Sequence, residues 1–188
     1  MRLKEARLAP LEADAWTDEQ RALLAPLGEK PFNIFKTLAR HPEAFEAFMA
    51  WGNYILSRKN TLPRREREIV ILRIGFRCRA GYEWAQHAII GKRVGLSDDE
   101  IARIKAGAGA GWGPADSALI RAADELHDNQ FISPATWAAL SAHFDEKQRM
   151  DVVFTAGQYT QVSMMLNTFG IQLDAGLVLD PELAAISD

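Results

Sequence analysis

The sequence contains a single cysteine, Cys78, in 188 residues. One cysteine excludes an intramolecular disulfide and any metal site built from several thiolates. No run of about 18 apolar residues, the length that a membrane-spanning helix needs, occurs in the chain. The first residues also lack the apolar stretch of a secretory signal. We therefore expect a cytoplasmic protein without a membrane partner.

An excess of positive charge is also missing. The chain has 22 Lys and Arg against 25 Asp and Glu, which gives a formal net charge of −3 at pH 7. Proteins that bind nucleic acids usually carry clustered Lys and Arg on one face. The densest basic cluster, residues 64–67, is interrupted by Glu66 and followed by Glu68. The composition therefore argues against a nucleic-acid partner.

Helix start signals recur along the chain. Thr17 and Ser97 each open a capping box, in which side chain and backbone at the helix start bond reciprocally. Thr61 and Ser133, each close to a proline, offer further capping hydroxyls. These starts predict an all-α fold of about seven to eight helices. The predicted helices lie near residues 17–27, 43–58, 63–78, 81–94, 98–106, 115–129, 134–143 and 146–169.

One segment, residues 69–76, is ambiguous because it is rich in β-branched residues and would also suit a buried strand. No alternating partner strand lies nearby, and Pro63 followed by acidic residues favours a helix start. We therefore interpret the segment as helical. The glycine-rich stretch 105–114 lacks the Lys-Ser/Thr pair of a phosphate-binding loop and is expected to connect helices. No linker divides the chain, so residues 1–188 are expected to form one domain.

Glu83 and His87 are four residues apart, which places them on one face of a helix. Histidine titrates near neutral pH, and a carboxylate beside it orients the ring and favours its protonated form. Glu68, on the preceding helix, joins them if the two helices pack together. Two carboxylates and a histidine in one pocket suffice for general acid–base catalysis. On spacing alone, however, a surface ion pair is the commoner arrangement.

The segment 62–101 resembles the carboxymuconolactone decarboxylase family, which includes the alkylhydroperoxidase D-like proteins. The matching features are the run that begins at Glu68, the Tyr82-Glu83-Trp84 sequence with His87 downstream, and Gly95-Leu96-Ser97 at a helix start. The resemblance implies an alkylhydroperoxidase D-like helical bundle with an N-terminal helical extension, residues 1–42. It also implies homo-oligomers, above all trimers or hexamers, with dimers as an alternative.

The chain departs from the hydroperoxidase branch, which uses a Cys-x-x-Cys-x-x-x-His motif. The two cysteine positions of that motif fall on Ala80 and Glu83, and Cys78 lies two residues before the first. Peroxidase chemistry by two thiols needs an attacking thiolate and a resolving thiol, so it is not expected here. The decarboxylase branch, which carries a Tyr-Glu pair and a downstream His, resembles the chain better.

The decarboxylase branch acts without metal or organic cofactor. The resemblance therefore implies a cofactor-free lyase or isomerase for a small carboxylated lactone or a related intermediate of aromatic degradation. His87 is expected to act as general acid or base, with Glu83 and Glu68 as its partners. Further side chains are expected to contact the substrate, with a guanidinium holding a carboxylate: Tyr82, Trp84 and Arg73, or Arg77 in place of Arg73. Arg73 lies in an apolar run, so it needs a partner, which is either the substrate or one of the two glutamates.

Two alternatives stay open. One is a peroxiredoxin-like antioxidant protein that uses Cys78 with an external resolving thiol, although a buried lone cysteine is usually inert. The other is a non-catalytic oligomeric family member, in which Glu68, Glu83 and His87 would be solvated or scattered. A metal site is not expected, because no pair among the remaining histidines has ligand spacing: His41, His127 and His143.

Overall fold

Nine α-helices and three short 3-10 helices make up residues 2–184, the part of the chain that this computed structural model describes, and that part contains no strand. The α-helices are α1 (Asp18–Leu24), α2 (Asn33–Leu38), α3 (Pro42–Leu56), α4 (Arg64–Arg77), α5 (Gly81–Arg93), α6 (Asp98–Ala106), α7 (Pro114–Asn129), α8 (Pro134–Ser141) and α9 (Glu146–Phe169). The 3-10 helices are Ala13–Ala15, Ala25–Leu27 and Pro181–Leu183. The predicted all-α fold is confirmed.

Most helix starts follow the sequence signals. Thr17 and Ser97 form capping boxes, and the Ser133 hydroxyl accepts a hydrogen bond from the backbone of α8. The predicted cap at Thr61 is wrong, because α4 begins without a side-chain cap. Thr61 instead donates from its backbone nitrogen and its hydroxyl to the buried carboxylate of Asp151, over 2.6 and 2.8 Å. Hydrogen bonds to a charged acceptor are stronger than those to a neutral group, so Thr61 bonds to Asp151 and does not cap α4.

Helix α4 lies at the centre of the molecule and packs against α5, α6, α7 and α9. Five of its side chains have no exposed surface: Ile69, Val70, Ile71, Leu72 and Ile74. The segment 69–76 of this helix has neighbours on several sides, so its β-branched residues reflect burial rather than a strand. The helical interpretation of residues 69–76 is therefore confirmed.

The N-terminal residues run over the end of α9. The backbone nitrogens of Arg7 and Leu8 donate to the carbonyl of Phe169 over 2.9 and 3.1 Å. Gly170 follows in the left-handed conformation, with φ of +69°, and a Cβ there would lie 2.8 Å from the Glu5 carbonyl oxygen. Only glycine permits this close approach together with that backbone conformation. The chain ahead of α3 is thus packed against the C-terminal helix.

Candidate active site

Glu68, Glu83 and His87 converge in the interior, where α4 packs against α5. Nδ1 of His87 lies 2.6 Å from Oε2 of Glu68, and Nε2 lies 3.0 Å from Oε1 of Glu83. All three residues are buried, with 2, 3 and 6% of their surface exposed for Glu68, Glu83 and His87. The alternative of a non-catalytic module predicts that these groups are scattered or solvated, and they are neither.

The two carboxylates control the charge of His87. Burial on its own lowers the pKa of the imidazole, because a charged ring loses its hydration. The charges of Glu68 and Glu83, together with the hydrogen bond to Glu68, outweigh this effect and raise the pKa of His87 to about 10. At neutral pH His87 is therefore an imidazolium held between two carboxylates.

Glu83 keeps one oxygen free for a further interaction. Its Oε1 is close to the His87 ring, but the Nε2–H is poorly aligned with it, and no donor within residues 2–184 bonds to this buried oxygen. A buried carboxylate oxygen without a donor is costly to leave unsatisfied. Gly75 on α4 allows the close approach, since a Cβ at that position would lie 3.1 Å from Cγ of Glu83.

A pocket of about 170 Å³ opens beside these groups, and Glu83 and His87 form part of its wall. Glu68 does not line the pocket and reaches it only through the His87 ring. Tyr159 of α9 lies across the pocket wall with its ring edge-on to His87, 4.9 Å between ring centroids. The rest of the lining is mainly apolar and includes Phe48 and Val162.

Several polar side chains in the pocket wall have no partner of their own. The side chains of Asn53, Gln158 and Tyr159 line the pocket, and none of them forms a hydrogen bond with another part of residues 2–184. Burial, followed by the charges of Glu83 and Glu68, raises the pKa of Tyr159 well above its usual value, so its hydroxyl stays protonated. An apolar pocket with a few convergent polar groups is the usual form of a small-molecule site.

The predicted N-terminal extension contributes to this pocket, which the sequence did not indicate. Its lining includes three residues at the start of α2: Phe32, Ile34 and Phe35. The exposed fraction of Phe32 is 49%. Helix α2 has only six residues and no side-chain cap. Neither a periodic pattern nor a start signal was therefore available to predict it.

The C-terminal segment holds two side chains of the pocket wall in place. Asp174 accepts hydrogen bonds from the Tyr82 hydroxyl and, over 2.8 Å, from the Gln86 amide. Its other oxygen accepts from the backbone nitrogen of Asn33 over 2.8 Å. Tyr82, which was predicted to contact the substrate, does line the pocket, but its hydroxyl is already bound. Its ring is therefore the part that faces a ligand.

Trp84 and Arg73, the other two predicted substrate contacts, lie outside the pocket lining. The Trp84 ring packs against Phe76, 5.6 Å between centroids, and lies 5.4 Å from the Lys105 ammonium. Trp84 therefore belongs to the packing between α4, α5 and α6.

Arg73 has a partner other than the three that the sequence suggested. Its guanidinium donates to both oxygens of Asp124, over 2.7 and 3.0 Å, and to the carbonyls of Ile104 and Lys105. Arg77 also donates to Asp124, over 2.8 Å. Neither guanidinium is therefore free to hold a substrate carboxylate. The partner was hidden because Asp124 lies on α7, about fifty positions away, where local spacing carries no information.

Cys78, the possible redox residue, also lies away from the pocket lining. Its sulfur is 3.6 Å from Nδ1 of His127, and its surface is partly buried. Burial raises the pKa of the Cys78 thiol, which disfavours the reactive thiolate. Within residues 2–184, no group of three or more His, Cys, Asp or Glu is arranged to hold a metal ion. In the same part of the chain, no helix is long and apolar enough to cross a membrane.

Residues 42–125 match the model of the carboxymuconolactone decarboxylase family. Among solved structures, an uncharacterized peroxidase-related protein from Silicibacter sp. TM1040 shares 16% identity with the chain at a TM-score of 0.78, over 92% of this chain and 95% of that one. A peroxidase-related protein from Ralstonia eutropha JMP134, described as an alkylhydroperoxidase AhpD core, shares 20% identity at a TM-score of 0.76, over 89% and 93%.

A third similar structure is a cysteine-to-alanine variant of the debrominase Bmp8 in complex with 2,3,4-tribromopyrrole. It shares 15% identity at a TM-score of 0.73, over 92% of this chain and 94% of that one. These identities are low, so the three structures show a common fold. No curated protein matches the sequence.

Proposed function

Because residues 42–125 belong to the carboxymuconolactone decarboxylase family, we propose that the chain is an enzyme that transfers protons on a small organic substrate bound in the pocket. One observation carries this proposal: His87 lies in the pocket wall in contact with two buried carboxylates. Shifted pKa values of this kind cluster at catalytic sites. The reaction class is an acid–base lyase or isomerase.

Glu83 is the proposed base. It lines the pocket, and its Oε1 lacks a hydrogen-bond donor, so this oxygen can accept a proton from a substrate carbon. His87 is the proposed electrophile, because its poorly aligned Nε2–H can donate to a substrate oxygen on which negative charge develops. In an isomerisation, Glu83 would remove a proton beside a carbonyl, His87 would stabilise the resulting enolate, and Glu83 would return the proton to another carbon.

Glu68 is proposed as a positioning residue, since only His87 lies between it and the pocket. Its hydrogen bond to Nδ1 fixes the ring orientation and leaves Nε2 on the pocket side. Loss of this bond would leave Nε2 of His87 less well oriented towards the substrate. Glu68 itself does not touch the substrate.

The resemblance narrows the substrate to a small carboxylated lactone, and such a molecule needs a cationic partner for its carboxylate. Arg73 and Arg77 are both occupied by Asp124. No Lys or Arg is among the described residues that line the pocket. We therefore retain proton transfer as the proposed reaction. A carboxylated lactone is one of the compounds to be tested as substrate.

Glu83→Gln should lower turnover by about 100-fold or more, the usual contribution of a general base. The assay follows two compounds by absorbance: a β,γ-unsaturated cyclohexenone, which conjugates on isomerisation, and a carboxylated butenolide. Glu43→Gln is the matched control, because Glu43 is exposed at the start of α3. Equal rates for wild type and Glu83→Gln on both compounds would contradict the proposal.

Gly75→Ala tests whether the position of Glu83 matters. The added Cβ forces Glu83 to shift, and small displacements of a catalytic group lower rates markedly. We expect turnover to fall about tenfold. The free energy of unfolding should change little, because the higher helix propensity of alanine, about 1 kcal/mol, offsets the strain of the added Cβ. Gly157→Ala on α9 is the control, since nothing lies within 4 Å of its Cβ position. Turnover unchanged in both variants would count against the geometry.

We also propose that the chain forms homo-oligomers, in line with the family resemblance. Beside α7 and α8, four apolar side chains are exposed by 63, 39, 46 and 37%: Phe131, Trp137, Met150 and Val153. Phe131, Trp137 and Val153 line one surface depression, and exposed apolar residues that lie together often mark an interface. Light scattering should give a multiple of 21.0 kDa for wild type and the single-chain mass for Phe131→Glu. Val178→Glu, at an isolated exposed position, should stay oligomeric; a monomeric wild type would contradict the proposal.

A further inference from the structure

The charge of the pocket wall restricts what it can bind. The wall contains the carboxylate of Glu83, and the buried Glu68 lies directly behind His87. Among the described residues, His87 is the one cationic group of the wall, and it is already paired with these two carboxylates. The described lining residues include no Lys or Arg that would hold an anion instead. An anion entering the pocket would therefore lose its hydration without gaining a free cationic partner.

The nearest buried guanidinium does not change this conclusion. Arg67 is 4% exposed and does not line the pocket. Its two terminal nitrogens donate to the carbonyls of Ser57 and Leu56, at the end of α3, over 3.1 and 3.4 Å. The charge of Arg67 also acts on Glu68, behind His87, so this guanidinium is engaged there and with the α3 carbonyls instead of in the pocket.

The size of the pocket restricts the ligand further. Its volume is about 170 Å³, and an apolar protein cavity of about 150 Å³ is known to hold benzene. The pocket thus has room for one ring with a small substituent. Its walls are mainly apolar, and aromatic rings from α2, α3 and α5 contribute to them: Phe35, Phe48 and Tyr82.

The unpartnered polar groups of the wall favour a ligand that brings a hydrogen-bond donor. The Glu83 carboxylate accepts only, and its Oε1 receives no hydrogen bond from the part of the chain that the structure describes. The amides of Asn53 and Gln158 and the Tyr159 hydroxyl can complete the bonds on other sides of the ligand.

From this charge, size and polarity we infer that the natural substrate is an uncharged molecule of one ring that carries a hydrogen-bond donor, and that carboxylates are excluded from the pocket. The inference rests on the proposed function, because it assigns the substrate class of the same site. It replaces the carboxylated lactone that the resemblance implies.

Three compounds of nearly equal shape test the inference: benzamide, which is uncharged and has an N–H donor, acetophenone, which is uncharged without a donor, and benzoate. Binding is followed by the methyl resonance of Met49, which lines the pocket, with the exposed Met164 as internal reference. Benzamide should bind most tightly, acetophenone about three- to tenfold more weakly, and benzoate at least about tenfold more weakly than benzamide.

Glu83→Gln should raise the affinity for benzoate by about tenfold or more, because it removes the repelling charge and adds a donor. Glu43→Gln, which removes an equal charge from the surface, should leave all three affinities unchanged. Benzoate binding as tightly as benzamide, or no shift of Met49 with any compound, would overturn the inference. Turnover of a carboxylated butenolide that depends on Glu83 would also overturn it, but would leave the proposed function intact.

Discussion

His87→Gln should lower the free energy of unfolding at pH 8 by about 3–5 kcal/mol, because it removes one partner of a buried charged group. Glu68 and Glu83 would then be buried without the cation that separates them. This loss is larger than that of most single substitutions. Unfolding in urea, followed by tryptophan fluorescence, measures it.

The same variant should regain much of its stability when the pH is lowered to 5. At lower pH, protons take over from His87 in reducing the repulsion between two neighbouring buried carboxylates. His41→Gln is the matched control: His41 is exposed and pairs only with Glu43 on the surface, so its loss should have little effect at either pH. A loss that is equal at pH 5 and pH 8 would show that charge is not the cause.

The stability of the wild-type protein should fall as the pH rises through the alkaline range. The pKa of His87 is raised from 6.5 to about 10 on folding, so the folded protein holds a proton that the unfolded chain has released. The stabilisation is complete below pH 6.5 and disappears as the pH rises through 10. Between these limits the unfolding equilibrium constant should increase about tenfold per pH unit.

The contribution of His87 can be isolated by comparing wild type with His87→Gln between pH 7 and pH 9. The charged or titratable groups that face the ring are Glu68 on α4, Glu83 on α5 and Tyr159 on α9. The pKa of Tyr159 is also raised, so its stabilisation is lost only above its ordinary value of 10.0. Urea unfolding at several pH values should give a steep slope for wild type only. Parallel slopes in the two proteins would contradict the assignment.

Local patterns in the sequence predict much of the fold and part of the site. Capping residues and helical periodicity locate eight of the nine α-helices in residues 2–184, because these signals act within a few residues. The four-residue spacing of Glu83 and His87 places them on one face of α5, and the structure adds Glu68 from α4. Contacts between residues on one helix can therefore be predicted from their spacing in the sequence. A contact with the next helix can be predicted once the two helices are expected to pack together.

The pocket itself could not be predicted, because its wall combines segments that are far apart in sequence. Phe35 comes from the N-terminal extension, Tyr159 from α9, and Asp174 from the segment after it. For the part of the wall that α9 supplies, the one available signal is the polar Gln158, next to Tyr159, in a helix buried on most sides. The role of Arg73 depended on Asp124, which only the packing of α4 on α7 brings close.

The chemistry of the site and its ligand preference both depend on whether His87 carries a positive charge at neutral pH. Nitrogen-15 NMR of the histidine rings at pH 8 measures it directly, with His87→Gln used to assign the signal. We expect both ring nitrogens of His87 to carry a proton at pH 8. A single neutral tautomer of His87 at that pH would contradict it.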